Sequence, residues 1–358
     1  MLWKSSGPQF NKIVKIGNKL VGEGQSCFVI AEAGSNHNQK FALAKKLVDI
    51  AAKAKADAVK FQLFVPEKIY VRNAGFADYL GKERTIQQIF HDIMMPQEWM
   101  PKLAEYCKKK GIMFLSSAFD EESVDLVDSY VLAHKIASYE ITHLPLIRHI
   151  AKKGKPIIMS VAMASISEIR DALRVIASTG NRNVVLMHCI AKYPAPIEAT
   201  NLRVIDALRK EFGIPVGLSD HSREPLINPV AAVARGADMI EKHFTVSNKL
   251  PGPDHKHAIE PDELKEMVAS IRKTESALGS SVKKVQQIER ELYTFARRRI
   301  HAIKDIKKGE IFTKQNIAVL RSGKARLGLE PKYFDWILGR RAVNDINESD
   351  GVRKEDVA

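Results

Sequence analysis

The chain has 358 residues, 45% of them apolar and 27% charged, with 20 Gly and 15 Pro, a makeup that excludes disordered, collagen-like and coiled-coil classes. The length exceeds the roughly 250 residues at which a single core stops growing, so a large domain plus a smaller one is expected. The formal charge of +14 admits nucleic acid, membranes or small anions as partners and selects none of them. Cys27, Cys107 and Cys189 form no CxxC, which fits a reduced, cytoplasmic setting, and no window approaches the ~18 apolar residues of a membrane span.

From Cys27 onward, short apolar runs alternate with helical patterns. The runs are Cys27–Ala33, Ala58–Phe64, Ile112–Phe119, Ala133–Glu140, Pro156–Ala162, Asn183–Ile190, Pro215–His221 and Met239–Val246. Between them lie amphipathic stretches such as Phe41–Ala56, Pro96–Gly111, Ser165–Ser178 and Glu260–Gly279, with apolar residues at i, i+3, i+4 and i+7. Ser165 with Glu168 reads as a capping box, and Gly111, Gly154, Gly180 and Gly213 sit where helices end. Strands that are apolar throughout and each followed by a helix imply parallel strands covered by helices. Eight of them predict a (β/α)₈ TIM barrel; the open doubly wound alternative lacks a GxGxxG after the first strand.

The connection from Val65 to Gln97 is unusually long and follows the second run, which predicts a lid over the carboxyl-end face of the barrel. Beyond Gly279 a polar stretch leads into a smaller β-rich unit, giving expected domains of residues 1–285 and 286–358. Within it, Ala302–Ala318 aligns without gaps to Ala342–Ala358, which predicts a pseudo-symmetric β module.

In a barrel the strand ends converge on one mouth, so the polar residues closing each run form the candidate site. They include Glu32, Lys60, Gln62, Ser117, Lys135, Ser138, Glu140, Ser160, Ser219, His221, Glu241 and His243. Lys60 and Lys135 stand inside apolar runs, where an ammonium is costly unless an anion meets it; with serines around them they point to a phosphate-bearing ligand. His221 and His243 end adjacent strands and could share a divalent ion such as Mn²⁺, Mg²⁺ or Co²⁺. Asp254, in the loop Asp254-His255-Lys256-His257, is a candidate substrate contact. The Arg297–Arg299 triplet comes with no nucleic-acid-binding motif, and Cys189 reads as a packed thiol more readily than a nucleophile.

These segments, in order, are IAEAGSNH, AVKFQ, FLSSAF, HKIASYE, MHCIAKYP, GLSDHS, IEKHFT and LPGPDHKHAIEPDEL. Together they resemble the sialic acid synthases, and the C-terminal unit resembles that family's antifreeze-like SAF domain, a β-clip. The resemblance covers nearly the whole chain. It implies condensation of phosphoenolpyruvate with N-acetylmannosamine and water to give N-acetylneuraminate and phosphate. A 6-deoxy diacetamido hexose, as in legionaminic or pseudaminic acid synthesis, is the alternative acceptor; a non-catalytic carbohydrate-binding protein is the alternative from another class.

By the same resemblance, His221 and His243 bind Mn²⁺ or a related ion, and Lys60, Ser117, Lys135, Ser138, Ser160 and Ser219 hold phosphoenolpyruvate. Gln62, Tyr193, Asp254 and Arg321 contact the sugar, Arg321 reaching across a domain-swapped homodimer. The chemistry also asks for a carboxylate near the enolpyruvate C2, for which Glu140 and then Glu32 are the candidates. The chain departs from the family pattern at Asn38-Gln39, where relatives often have Gly, at Ser160–Met163 (SVAM), in KIASY, and at Ala191.

Overall fold

The computed structural model describes Trp3, residues 7–76 and residues 84–358. It divides into two compact units, Met1–Gly279 and Ser280–Ala358. Part of the expected lid, residues 77–83, lies outside the described residues.

The first unit opens with a hairpin, β1 (Ile13–Ile16) and β2 (Lys19–Gly22), turned at Gly17 with φ +58°. Sequence patterning missed it, because four-residue strands are too short for periodicity to register. Eight parallel strands then close a barrel: β3 (Phe28–Gly34), β4 (Ala58–Leu63), β5 (Met113–Ala118), β6 (His134–Ile136), β7 (Ile157–Ser160), β8 (Val184–Cys189), β9 (Val216–Asp220) and β10 (Met239–His243), which pairs back onto β3. The TIM-barrel expectation holds. The helices are α1 (Phe41–Lys53), α2 (Pro66–Ile69), α3 (Ile86–Ile93), α4 (Trp99–Lys110), α5 (Glu121–Asp128), α6 (Leu144–Lys152), α7 (Ile166–Ser178), α8 (Val204–Phe212), α9 (Ile227–Ala234) and α10 (Pro261–Leu278). Among the described residues no helix is long and apolar enough to cross a membrane.

Local chemistry sets the helix ends. Ser165 accepts from the Glu168 amide while the Glu168 carboxylate accepts from Ser165, the expected capping box. Gly111 and Gly213 close α4 and α8 in the left-handed conformation. Most strands are shorter than the expected runs, and β6 is shortened most. β6 ends at Ile136, and a single 3₁₀ turn, Ser138–Glu140, follows instead of more strand.

Strand alternation sorts the apolar side chains into two layers. Phe28, Ile30, Leu115, Ile158, Val185 and Met187 fill the barrel interior, joined from below by Val14, Ile16 and Val21 of the hairpin. Val29, Val59, Phe61 and Leu63 point outward and pack with Leu47, Val48 and Leu103 of the helices. Full burial contributes roughly 1.5–3 kcal/mol for each large side chain. The polar strand ends lie on one rim of this packed cylinder.

The second unit has its own core of Ile300, Ile306, Phe312, Ile317, Ile337, Ile346 and Val352. Two strands, β11 (Arg298–Ala302) and β12 (Ile317–Arg321), pair in it. The sequence repeat is a structural two-fold. Ile306 and Ile346, equivalent positions of the two copies, exchange backbone hydrogen bonds at 2.9 and 2.8 Å. Ala302 donates to Asp350 as Ala342 donates to Glu310, each at 2.9 Å.

Candidate active site

A cavity of about 410 Å³ opens at the carboxyl ends of the barrel strands. Every sequence-predicted site residue except Arg321 lines it: Glu32, Lys60, Gln62, Ser117, Lys135, Ser138, Glu140, Ser160, Tyr193, Ser219, His221, His243 and Asp254. Arg321 ends β12 in the second unit and is exposed there. The expected lid connection also contributes, through Phe64, Ile69, Tyr70, Ile89, Phe90 and Ile93.

The floor is built from cross-strand neighbours. Glu32 on β3 lies beside Lys60 on β4, Gln62 beside Ser117 on β5, and Ser117 beside Lys135 on β6. The Lys60 ammonium lies 2.8 Å from Glu32 and 3.6 Å from Glu241, and donates to Ser117 Oγ at 3.2 Å. Lys135 lies 3.7 Å from Glu241 and donates to Ser160 Oγ at 2.5 Å. Gln62 donates to Glu32 at 2.8 Å. The two interior lysines are therefore met by two interior carboxylates. Sequence reasoning gave Glu241 a place at the rim and no role; it also accepts from Ser219 Oγ at 3.2 Å. Its signal was its parity with His243, two residues on and on the same face of β10.

The two carboxyls differ. Burial raises Glu32 above the usual carboxylate range against the pull of Lys60, whereas Lys135 and Lys60 outweigh burial at Glu241 and hold it low. Burial raises Glu140 as well. The buried Cys189 thiol is pushed up to about 11 by desolvation, so it is a packed thiol and not a thiolate nucleophile.

Beside the lysines, His221, His243, His257 and Tyr193 form a ring cluster. Tyr193 stacks on His221 with centroids 4.2 Å apart, and His243 lies 5.5 Å from His221 and 5.1 Å from His257. Desolvation pushes His221 and His257 down to about 4 and His243 well below its ordinary value, so all three imidazoles are neutral near pH 7. His221 Nδ1 lies 2.8 Å from the Ile190 carbonyl, which can only accept, so Nδ1 carries the proton and Nε2 keeps its lone pair. His243 Nδ1 is buried and unpartnered. Two neutral nitrogens so placed fit a divalent cation whose other positions are filled by oxygens of water or substrate. Among the described residues no three His, Cys, Asp or Glu side chains converge into a closed protein cage.

Gly34 and the Asn38-Gln39 corner position the remaining loops. Gly34 has φ +51°, and a Cβ there would stand 2.8 Å from an Asp254 oxygen, so glycine lets Asp254 approach the rim. Burial raises Asp254, which accepts from the Ser35 amide at 3.4 Å. The two loop histidines separate: His257 lines the cavity, while His255 is an internal strut bonded to Thr245 Oγ1 at 2.6 Å and to Asn38 at 3.0 Å.

Residues 47–283 match the NeuB family and residues 297–358 match the SAF domain. The chain is 46% identical to the spore coat polysaccharide biosynthesis protein SpsE of Bacillus subtilis, over 96% of each chain. It is 40% identical to an N,N'-diacetyllegionaminic acid synthase of Campylobacter jejuni, over 91% of this chain and 98% of that one. The solved N-acetylneuraminic acid synthetase of Leptospira borgpetersenii superposes with a TM-score of 0.72 at 32% identity, covering 80% of this chain and 96% of that one. An eight-stranded barrel with a polar mouth, a SAF match in the residues that follow it and likeness over nearly its full length place the chain in the NeuB family.

Proposed function

We propose that the chain is a nonulosonate synthase that joins phosphoenolpyruvate to the open-chain aldehyde of an N-acyl hexosamine, with water added and phosphate released. The observation that carries this reading is the juxtaposition, in one cavity, of Lys60 and Lys135 ringed by serines with the neutral pair His221 and His243.

In this reading Lys60, Lys135, Ser117, Ser138, Ser160 and Ser219 hold the phosphate and carboxylate of phosphoenolpyruvate and fix its face toward the aldehyde. Gln62, Tyr193 and Asp254 take the sugar's hydroxyls, with Arg321 from the SAF unit of a partner subunit. A divalent ion such as Mn²⁺ on His221 and His243 would supply Lewis-acid polarisation of the aldehyde oxygen. Carbon–carbon bond formation leaves positive charge at the former enol C2. Glu140, or failing it Glu32, removes the proton from the water that adds there, and the adduct then breaks its C2–O bond to free phosphate and leave the 2-keto acid. Glu241, held ionised between the lysines, keeps both ammonium groups aligned before substrate arrives.

N-acetylmannosamine is the acceptor of the sialic acid branch. Identity of 40% with the legionaminic acid synthase against 32% with the sialic acid synthetase favours a 6-deoxy diacetamido hexose as the second reading. A coupled phosphate-release assay with phosphoenolpyruvate and each sugar tests the class. Release that EDTA abolishes and Mn²⁺ restores is expected; phosphate release with neither sugar at any metal concentration overturns the reading.

A further inference from the structure

The polar lining of the cavity comes mainly from the barrel strands and the loops after β3, β6, β8, β9 and β10, whereas the connection after β4 contributes, among the described residues, apolar side chains and the phenol of Tyr70. From α3 only Ile89, Phe90 and Ile93 reach the cavity, so among the described residues this helix presents no polar side chain to it. Phe64 joins them, packed on Phe90 with centroids 5.2 Å apart, and Phe90 in turn meets Tyr70 at 5.0 Å. Ile89 and Ile93 are half-buried without bound substrate, which leaves apolar surface available to a ligand.

This wall is held from a distance. The Gln39 side chain donates to the carbonyls of His91 at 2.6 Å and Met94 at 3.2 Å, at the open end of α3. Gln39 and Asn38 both stand in the left-handed region, φ +51° and +47°. Asn38 donates to the Pro251 carbonyl at 2.9 Å, tying down the loop that carries Asp254. One corner after β3 thus fixes both the apolar wall and a polar sugar contact.

We propose that Phe64, Ile89, Phe90 and Ile93 read the end of the acceptor remote from its aldehyde, selecting a methyl group over a hydroxymethyl at carbon 6, with Gln39 as the positioning residue. The proposal rests on the synthase reading above. Condensation keeps the aldehyde beside the lysines and the imidazole pair, and Gln62, Tyr193 and Asp254 supply the polar contacts, so the far end of the sugar meets hydrocarbon. A hydroxyl pressed against Phe64, Ile89, Phe90 and Ile93 gives up water and gains no hydrogen-bond partner from those four side chains. Apolar pockets discriminate one small group by about 10–200-fold.

The test uses two acceptors that differ only at carbon 6: N-acetylmannosamine and its 6-deoxy analogue, assayed by phosphate release from phosphoenolpyruvate. For the wild-type chain we expect kcat/KM to favour the 6-deoxy sugar by at least about tenfold. Ile93→Asn should reduce that ratio to within about threefold, while Ile93→Leu keeps it and the KM for phosphoenolpyruvate stays put in both. Gln39→Gly, which retains the backbone conformation and removes only the tether, should shrink the ratio without altering the circular dichroism spectrum. Equal use of both sugars by the wild type, or an unchanged ratio in folded Ile93→Asn and Gln39→Gly, refutes the wall and leaves the synthase reading standing. Phosphate release with neither of these sugars nor with a 6-deoxy diacetamido hexose refutes the synthase reading, and the wall with it.

Discussion

Lys242 supplies the sharpest test of how the barrel holds its imidazole pair. Residues alternate faces along β9 and β10, so Ser219 and His221 point into the cavity with Glu241 and His243, while Asp220 and Lys242 point away from it. Asp220 and Lys242 are also cross-strand partners. The ammonium is 1% exposed and lies 2.6 Å from Asp220, 2.6 Å from the Ser222 carbonyl and 2.8 Å from that of Glu224. The clamp therefore joins the residues immediately before His221 and His243 and ties down the backbone that follows His221.

Lys242→Met keeps the length and volume of the stem and removes the charge. Asp220 would keep the Ser222 amide at 2.9 Å and Asn228 at 3.2 Å but lose its Lys242 ammonium partner. Removing one partner of a buried pair leaves an uncompensated charge and costs about 3–5 kcal/mol. Adding Asp220→Asn removes that charge and should recover about half of the loss. Urea denaturation gives the free energies, and hydrogen exchange at residues 220–224 assigns the loss to the barrel rather than the second unit. A single-variant loss below about 1 kcal/mol, or a double variant no better than the single, would show that the pair is not a clamp.

Three further outcomes follow from the site. Lys135→Met should raise the KM for phosphoenolpyruvate by at least about tenfold, the scale of one charge-assisted contact, with little change in acceptor KM; equal effects on both would move Lys135 out of the phosphoenolpyruvate site. Glu140 works as a base only when ionised, and burial raises its pKa. The acid limb of kcat/KM should therefore lie above the ordinary carboxylate range and vanish in Glu140→Gln, and a wild-type limb at the ordinary position argues against Glu140. Light scattering at micromolar concentration should report about twice 40.1 kDa; a stable monomer rejects the contribution of Arg321 from a partner subunit.

The barrel is legible because parallel strands are buried on both faces, so most strands open on an apolar stretch, as in FVIA of β3, VVLM of β8 and VGL of β9, and polar residues enter only inside or at the end of it. The site is legible for the same reason, since a lysine in such a run stands out. Lys60 and Lys135 stand out on that ground, whereas Lys242, between Glu241 and His243, does not. What separates them is parity: Lys242 adjoins His243 and faces the other way, so its carboxylate partner Asp220 lies outside the cavity, while those of Lys60 and Lys135 line it. The connection after β4 resists reading for the opposite reason. Its helices α2 and α3 are short, and the apolar residues of α3 face the cavity as well as the core, so periodicity there gives no sign of what they bind.

The Asn38-Gln39 corner shows how a departure from a family pattern can be read in physical terms. A lost glycine first suggests a changed backbone, but both residues adopt the left-handed conformation that glycine would have supplied. Asn enters that region readily through its short polar side chain, while Gln stands there at a cost of roughly 1–2 kcal/mol. Hydrogen bonds from Gln39 to two carbonyls at the C-terminal end of α3 and from Asn38 to Pro251 offset it, each contributing about 0.5–1.5 kcal/mol. Glycine would make the same turn and hold nothing. The two side chains turn a passive corner into a tether between α3 and the Asp254 loop, so the same residues that depart from the family pattern also set the distance between the apolar wall of α3 and Asp254.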